Sequence, residues 1–402
     1  VNDIQSPVFN FSSLPLDSEV SEDKLLYTTN NSVFIFDGLA NLMTQINQTA
    51  DFQTTYTSAV AFGNDTYIGT TDFGVLTTNS SDLSSFVEIR PDGPLRNDSF
   101  KIQAFREGLW VAFGEFDQFL NPFPLNSRGV SILREDTWKN VPFDSLLGMR
   151  ELNKITINPD NPNQVFVSSF IDGILEFNDF EPTNIFNQTN SPLQSLSTTD
   201  IDIRVGPSGF DENGNLWNLT SRVDLALKSY SPASNQWRTF SFASFIDDPV
   251  NDEVGFYDLV VDNNTGTKWI GSGNNGLIAF NENETPAIKN ITEERQGLPT
   301  EVIRSLAVDN SGQLWIGTRN GLRVLFNTSG FFEDEDVTVE PIIFLEDGLA
   351  RELLENQTIT DIEVDGSNNK WVGTLDSGVF YFSPNGQTTI YHFTKDNSPL
   401  PT

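Results

Sequence analysis

The sequence predicts an all-β fold, a β-propeller of four-stranded antiparallel blades, with seven blades expected and eight the alternative. Three observations predict it. A segment that combines a Trp, a Gly and a hairpin signal recurs along the chain. The recurrence has a period of about 40 to 50 residues, the length of one propeller blade. A further short strand follows many of the copies, and no amphipathic helix breaks the series.

The clearest copy is "VDNSGQLWIGTRNGLRVLF", residues 308–326. The apolar run ending at Val308 reads as a first strand. Asp309-Asn310-Ser311-Gly312 is a turn, because Asp and Asn bond nearby backbone and Gly accepts a positive φ. Leu314–Thr318 is the second strand, Asn320-Gly321 reads as a type I′ hairpin turn, and Leu322–Phe326 is the third strand. The same elements return in 261–280, with Trp269, Gly271 and Asn275-Gly276, and in 364–382, with Trp371, Gly373 and Gly378. Weaker copies occupy 25–36, 66–77, 108–114 with 128–133, 165–177 and 209–222. The clearest blades are therefore 256–295, 302–346 and 358–396, and the whole of 1–402 reads as propeller.

Fourth strands are expected at 136–143, 235–242 and 388–394. The copy at 25–36 lacks Trp and both motif glycines, so it reads as a partial blade completed by the C-terminal segment. "VNDIQSPVFNF" could supply a strand after the final "KDNSPLPT", and the chain reads as a piece of something longer. The segment 347–356, "DGLARELLEN", is expected to form a turn or two of helix between blades.

The motif residues Trp269, Gly271, Trp315, Gly317, Trp371 and Gly373 are structural on this reading. A Trp on the second strand fills the gap between blades, and the glycines let backbones approach closely. Trp110 and Trp217 share the second-strand position, while Trp138 and Trp237 head fourth strands. All seven Trp residues thus receive structural places.

With 23 basic residues against 56 acidic and a net charge of −33, the chain does not read as a nucleic-acid binder, since phosphate recognition needs a basic surface. Docking on an anionic membrane is disfavoured for the same reason. The acidity itself reads as a solubility feature. The absence of Cys removes disulfides and thiolate metal sites.

Chemistry is scarce. The one histidine, His392, falls on an outer strand, away from any nucleophile and base arrangement. No catalytic residue is assigned, and the chain reads as a non-enzyme without cofactor. "DENGN" (211–215) opens like a Ca²⁺ loop but lacks the acidic ligand expected further on; it is either a structural turn or a cation site. Two insertions interrupt the repeat. "GEFDQFLNPFPLNS" (114–127) offers Asp117, Phe119 and Phe123 as candidate binding residues, and 331–356 is the second candidate docking segment. Either could equally be a plain insertion.

The quoted repeats carry a resemblance. "GLPTEVIRSLAVDNSGQLWIGTRNGL" resembles the propeller repeat of the periplasmic halves of Bacteroidetes hybrid two-component sensors. Over residues 345–402, the pieces "NNKWVGT", "SGVF" and "HFTKDNSPLP" resemble the propeller component of the type IX secretion attachment complex more specifically. The second resemblance implies a surface-exposed, non-enzymatic scaffold of two propellers and a C-terminal sorting domain. Its implied partners are a sortase and outer-membrane barrel proteins, with lipopolysaccharide or another glycan as ligand. It implies secretion across the inner membrane to the outer-membrane surface. The first resemblance implies a periplasmic ligand-sensing propeller instead.

Overall fold

The computed structural model describes residues 14–400 apart from Glu107, Asn251, Glu253, residues 293–295 and Asp347. They form eight successive blade-like sheets, seven with four antiparallel strands and one with three. Two compact units divide them, residues 1–93 and 94–402.

The first unit holds blade 1 (Pro15–Ser21, Lys24–Thr29, Ser32–Asp37, Leu42–Asn47) and blade 2 (Tyr56–Phe62, Asp65–Thr70, Val75–Asn79, Asp82–Ile89). Leu26, Val33, Ile35 and Ile46 of blade 1 bury against Tyr56, Ala59, Ile68 and Leu76 of blade 2. Blade 1 is complete with its own four strands, so the expectation that the C-terminal segment completes it is not met. The first strand, "PLDSEVS", carries no readable apolar period, because its residues are mostly polar and exposed. The proposed role of "VNDIQSPVFNF" falls on residues 1–11, outside the described residues.

The second unit holds six blades. Blade 3 comprises Lys101–Phe105, Gly108–Ala112, Val130–Arg134 and Thr137–Val141; blade 4 comprises Leu152–Ile157, Gln164–Ser169, Gly173–Asn178 and Glu181–Phe186. Blade 5 is Val205–Phe210, Leu216–Thr220, Leu227–Ser231 and Gln236–Phe240; blade 6 is Phe256–Asp262, Thr267–Ser272, Leu277–Phe280 and Ile288–Ile291. Blade 7 has Ile303–Val308, Leu314–Thr318 and Gly321–Leu325, and blade 8 has Ile359–Val364, Lys370–Thr374, Val379–Phe382 and Thr389–Phe393. In blade 7 the fourth strand is reduced to one bridge between Val324 and Glu340. The segment 331–340 turns inward there: Phe331 packs edge-on against Trp269 at 4.8 Å, and Val337 and Val339 are buried. This half of the second insertion is core. The rest forms a hairpin, Ile343–Glu346 with Leu349–Glu352, in place of the expected helical turns. An Asp-Gly pair is a hairpin signal, and Gly348 has φ +78°.

Both faces of an inner blade are covered, so the second strands of blades 5, 6 and 7 are buried at every position. Five buried apolar clusters fill the junctions from blades 3/4 to 7/8. Each second-strand Trp of blades 3, 5, 6 and 7 is covered by the following blade and is at most 1% exposed. In blades 6 and 7 a glycine two residues further on permits this approach. A Cβ on Gly317 would lie 2.6 Å from the Ile359 side chain of blade 8, and one on Gly271 2.9 Å from the Ile303 carbonyl of blade 7. Blade 8 is the exception. Trp371 is 37% exposed and stacks on Tyr381 and Phe393 of its own sheet, at 4.3 and 5.8 Å. The expectation that a second-strand Trp fills the gap between blades fails here, because among the described residues no apolar cluster joins blade 8 to blade 3.

The Asn-Gly hairpins also differ from expectation. Thr318 pairs with Gly321, whose φ is +118°, while Asn320 lacks the positive φ that a type I′ turn needs. The hydroxyl at the end of the second strand organises the turn instead. Thr318 Oγ1 accepts from the Asn320 N–H and donates to the Gly321 carbonyl. Ser272, Thr374 and Thr70 repeat this pattern.

Candidate functional site

The first strand of each blade in the second unit faces a common centre, and neighbouring first strands are linked there. Thr156 meets Ser208 at 2.7 Å, and Leu306 N–H donates to Asp258 Oδ2 at 2.9 Å, while Gly114, at the start of the first insertion, donates its N–H to the Leu152 carbonyl of blade 4. Ile362 N–H donates to Ser305 Oγ at 2.9 Å, and Lys101 Nζ reaches Asp361 Oδ2 at 3.2 Å to bridge blades 3 and 8. These links surround a cavity of about 490 Å³, lined from all six blades.

What points into it follows from a repeated backbone irregularity. A register shift occurs near the start of the first strand in blades 4 to 8, for example between Leu152 and Lys154, Phe256 and Asp258, Ile303 and Ser305, and Ile359 and Asp361. A bulge leaves one residue unpaired and re-aims its side chain. The residues at these shifts, among them Asn153, Tyr257, Arg304 and Thr360, are cavity-lining residues.

The charges are of both signs. Asp258 is held by the N–H groups of Leu306 and Leu259, and Asp361 by Lys101, with Ser305 and the Ile362 N–H. Burial works to lower the Lys101 pKa, but Asp361 and Asp258 more than offset it, so it lies above the ordinary lysine value. Lys154 is different. Its amine makes no hydrogen bond or ion pair among the described residues, and desolvation holds its pKa below the usual range despite Asp258. The Arg304 guanidinium likewise has no acidic partner among them; it lies over the Tyr257 ring, 5.1 Å from the centroid.

The first insertion, 114–127, crosses this cavity. Its ends are stapled by Glu151, which accepts from the N–H groups of Glu115 and Asn126, and its tip is held where Tyr257 Oη donates to the Gln118 carbonyl at 2.6 Å. Leu120 is buried beside Gly255, where a Cβ would lie 2.1 Å from a Leu120 methyl. Asp117 lines the cavity, and its carboxylate closes the loop by accepting from the Phe119 and Asn121 N–H groups. Phe119 and Phe123 project outward, 71% and 54% exposed.

The turn 211–215 has its carboxylate turned inward: Asp211 accepts from the N–H groups of Asn213 and Asn215 and from Trp217 Nε1 at 2.8 Å. His392 lies exposed on the last strand of blade 8, stacked on Phe380, with Nε2 2.6 Å from the Ser377 carbonyl. Sequence reasoning missed Lys101, Lys154 and Arg304. A signal was present, a charged residue embedded in an otherwise apolar first strand, as in "NKITI" and "VIRSLAV".

The fold is an all-β propeller, and residues 297–320 match the two component regulator propeller family model. The chain is PorZ-like in fold. It is similar to the solved structure of PorZ, described as an essential bacterial surface component of the type-IX secretion system of Porphyromonas gingivalis, with a TM-score of 0.78 at 22% identity. That likeness covers 96% of this chain and 53% of the PorZ chain, so the chain spans about half the length of that relative. The extracellular domain of a putative one component system from B. thetaiotaomicron is a looser likeness, at TM-score 0.43 and 14% identity over 96% of this chain and 60% of that one. No curated protein matches the chain. No helix among the described residues is long and apolar enough to cross a membrane.

Proposed function

We propose that this chain is a non-enzymatic scaffold and recognition propeller of type IX secretion at the outer-membrane surface. In that role it supports a sortase that attaches secreted cargo to anionic lipopolysaccharide, beside outer-membrane barrel proteins. The observation that carries the reading is the likeness to PorZ along nearly the whole chain, joined to the sequence resemblance over 345–402. The exposed Phe119 and Phe123, on an insertion anchored at both ends and at its tip, suit a partner-docking role: a rigid support lowers the ordering cost of binding. Ca²⁺ at the 211–215 turn forms no part of the proposal, since the Asp211 carboxylate serves the turn and Trp217.

The test is a pull-down of the full-length tagged protein from detergent-solubilised outer membranes. Recovery of a sortase and an outer-membrane barrel supports the reading. Recovery of neither, with a kinase and a membrane span encoded in the same reading frame, overturns it in favour of a periplasmic ligand-sensing propeller. The regulator-type repeat at 297–320 is the observation that favours this second reading.

A further inference from the structure

The first insertion is held firmly at its base and lightly at its tip. At the base one buried carboxylate, Glu151, accepts from the N–H groups of both Glu115 and Asn126, and Arg128 donates to the Phe113 carbonyl at 2.8 Å. The Phe116 ring is wedged between Phe100 and Phe170, with centroids 4.9 and 4.7 Å away. From Asp117 to Phe123 the contacts thin out. The bond from Tyr257 Oη to the Gln118 carbonyl is the one hydrogen bond among the described residues that joins this tip to the blades. The tip's other bonds are its own. Asp117 N–H donates to the Asn121 carbonyl, Leu120 N–H to the Asp117 carbonyl, and the Asp117 carboxylate accepts from two further N–H groups. Pro122 and Pro124 fix φ on the returning arm. The tip is therefore a self-bonded turn whose shape does not depend on the blades.

Its remaining anchor is Leu120. At φ +59° this residue occupies a region that leucine rarely adopts, yet its side chain is buried. Gly255 provides the notch: a Cβ there would lie 2.1 Å from a Leu120 methyl, and Gly255 has no positive φ that calls for glycine. The missing Cβ makes room for the leucine. On one side of the tip lies the central cavity, lined by Asp117 and Gln118. On the other lies a second cavity of about 350 Å³, lined by Gln118, Phe119 and Leu120. Tyr257 and Arg304 line both, so the tip is the partition between them.

We infer that residues 117–123 are a gate on the central cavity. The gate swings on its fixed base as one unit, with Leu120 leaving the Gly255 notch and Gln118 leaving Tyr257, and its opening joins the two cavities into one. Segments with few buried contacts open at the low end of a fold's stability range, and one hydrogen bond with one seated leucine is such a set. Release also lets the left-handed Leu120 backbone relax. The gate needs no partner, so it stands or falls apart from the secretion reading.

The experiment is a spin-label distance measurement on the whole chain. The chain has no cysteine, so labels placed at Phe119→Cys on the tip and Ser234→Cys on blade 5, both exposed, are the only ones present. The parent should give one dominant distance, that of the closed gate. Gly255→Ala, which fills the notch, should raise the open-to-closed ratio about 10- to 100-fold with the circular-dichroism melt retained. Tyr257→Phe, which removes the latch bond, should raise it about 2- to 10-fold. In a Leu120→Ala background Gly255→Ala should have no further effect, because the methyl it meets is gone. Should Gly255→Ala fail to fold, Tyr257→Phe and Leu120→Ala carry the same test. A single unchanged distance in every variant would mean a fixed strap and overturn the inference. So would a broad distribution in the parent, which has no closed state, or an equal effect of Gly255→Ala with and without Leu120.

Discussion

Lys370 of blade 8 donates from Nζ to Asp309 Oδ2 of blade 7 at 2.9 Å, both side chains at most 1% exposed. The same ammonium lies 4.6 Å from the Trp315 ring centroid, and Trp315 Nε1 donates to the same Asp309 oxygen at 3.3 Å. Acid, indole and cation therefore lock one blade to the next. Blades 5 and 6 repeat the indole part of this arrangement: Trp217 Nε1 donates to Asp211 and Lys268 lies 4.2 Å from the ring centroid, but the lysine ammonium donates to the Gly266 carbonyl.

Asp309→Asn should destabilise the chain by about 3–5 kcal/mol at neutral pH, because it leaves a buried ammonium without its counter-charge. The Asp309 pKa lies below the usual carboxylate value, since Lys370 and the turn N–H groups outweigh the opposing effect of burial. A depressed folded-state pKa gives stability that is present above the unfolded value of 3.8 and lost as pH falls through the folded one. Thermal melts from pH 7 down to about 3 should therefore show a smaller acid loss for the variant than for the parent. Equal acid slopes would contradict this account.

Lys228 is fully buried without an acidic partner among the described residues, and desolvation brings its pKa from 10.5 down to about 7. Between those two values the unfolded chain holds the proton and the folded chain releases it. Stability should rise as pH increases from about 7 to 10.5, by a few kcal/mol at about 1.4 kcal/mol per pKa unit. Below about pH 7 this contribution is constant. Urea melts across the window should show the rise in the parent and its loss in Lys228→Met, which should also be the more stable protein at neutral pH.

Trp315→Ala should cost about 3–5 kcal/mol, the ordinary loss for a fully buried aromatic. Trp371→Ala, at the equivalent position of blade 8, should cost less than half as much, because solvent already reaches its ring. Equal costs in denaturant melts would mean that the blade 8 face is covered in solution.

Gly317→Ala should destabilise by about 1–3 kcal/mol, since its Cβ meets Ile359 across the blade junction. Gly373→Ala meets only the Thr360 hydroxyl of its own sheet, at 2.9 Å, which can rotate away. It should cost well under 1 kcal/mol by comparison.

Phe119→Ser combined with Phe123→Ser should leave the melting temperature within a degree or two, as both rings are already largely exposed. On the docking proposal, recovery of the secretion partners from outer membranes should fall. Unchanged recovery would remove the insertion from the interface.

The blade repeat was legible in the sequence because it is written in short-range terms. A Trp and a Gly two residues apart, a turn closed by an Asp and a hairpin closed by a Gly recur with a fixed order, and each is a local requirement of the backbone. "NQWRTFSF" and "TTIYHFT" declared fourth strands for the same reason. The polar first strand of blade 1 and the core role of 331–340 were not legible. The first carries no apolar period, and the second acquires its burial from Trp269 of the preceding blade.

By itself the sequence determined a chain of antiparallel blades, the residues that cement one blade to the next, and a surface too acidic for nucleic acid. Only the tertiary structure decided which charges meet. Lys101, Lys154, Arg304, Asp258 and Asp361 are scattered over some 260 residues, and nothing local announces that bulges in separate first strands turn them or their neighbours toward one cavity. It also decided that Trp371 is left open while its counterparts are enclosed. Enclosure depends on what lies across the junction, and the pattern within a strand carries no record of its neighbour across that gap.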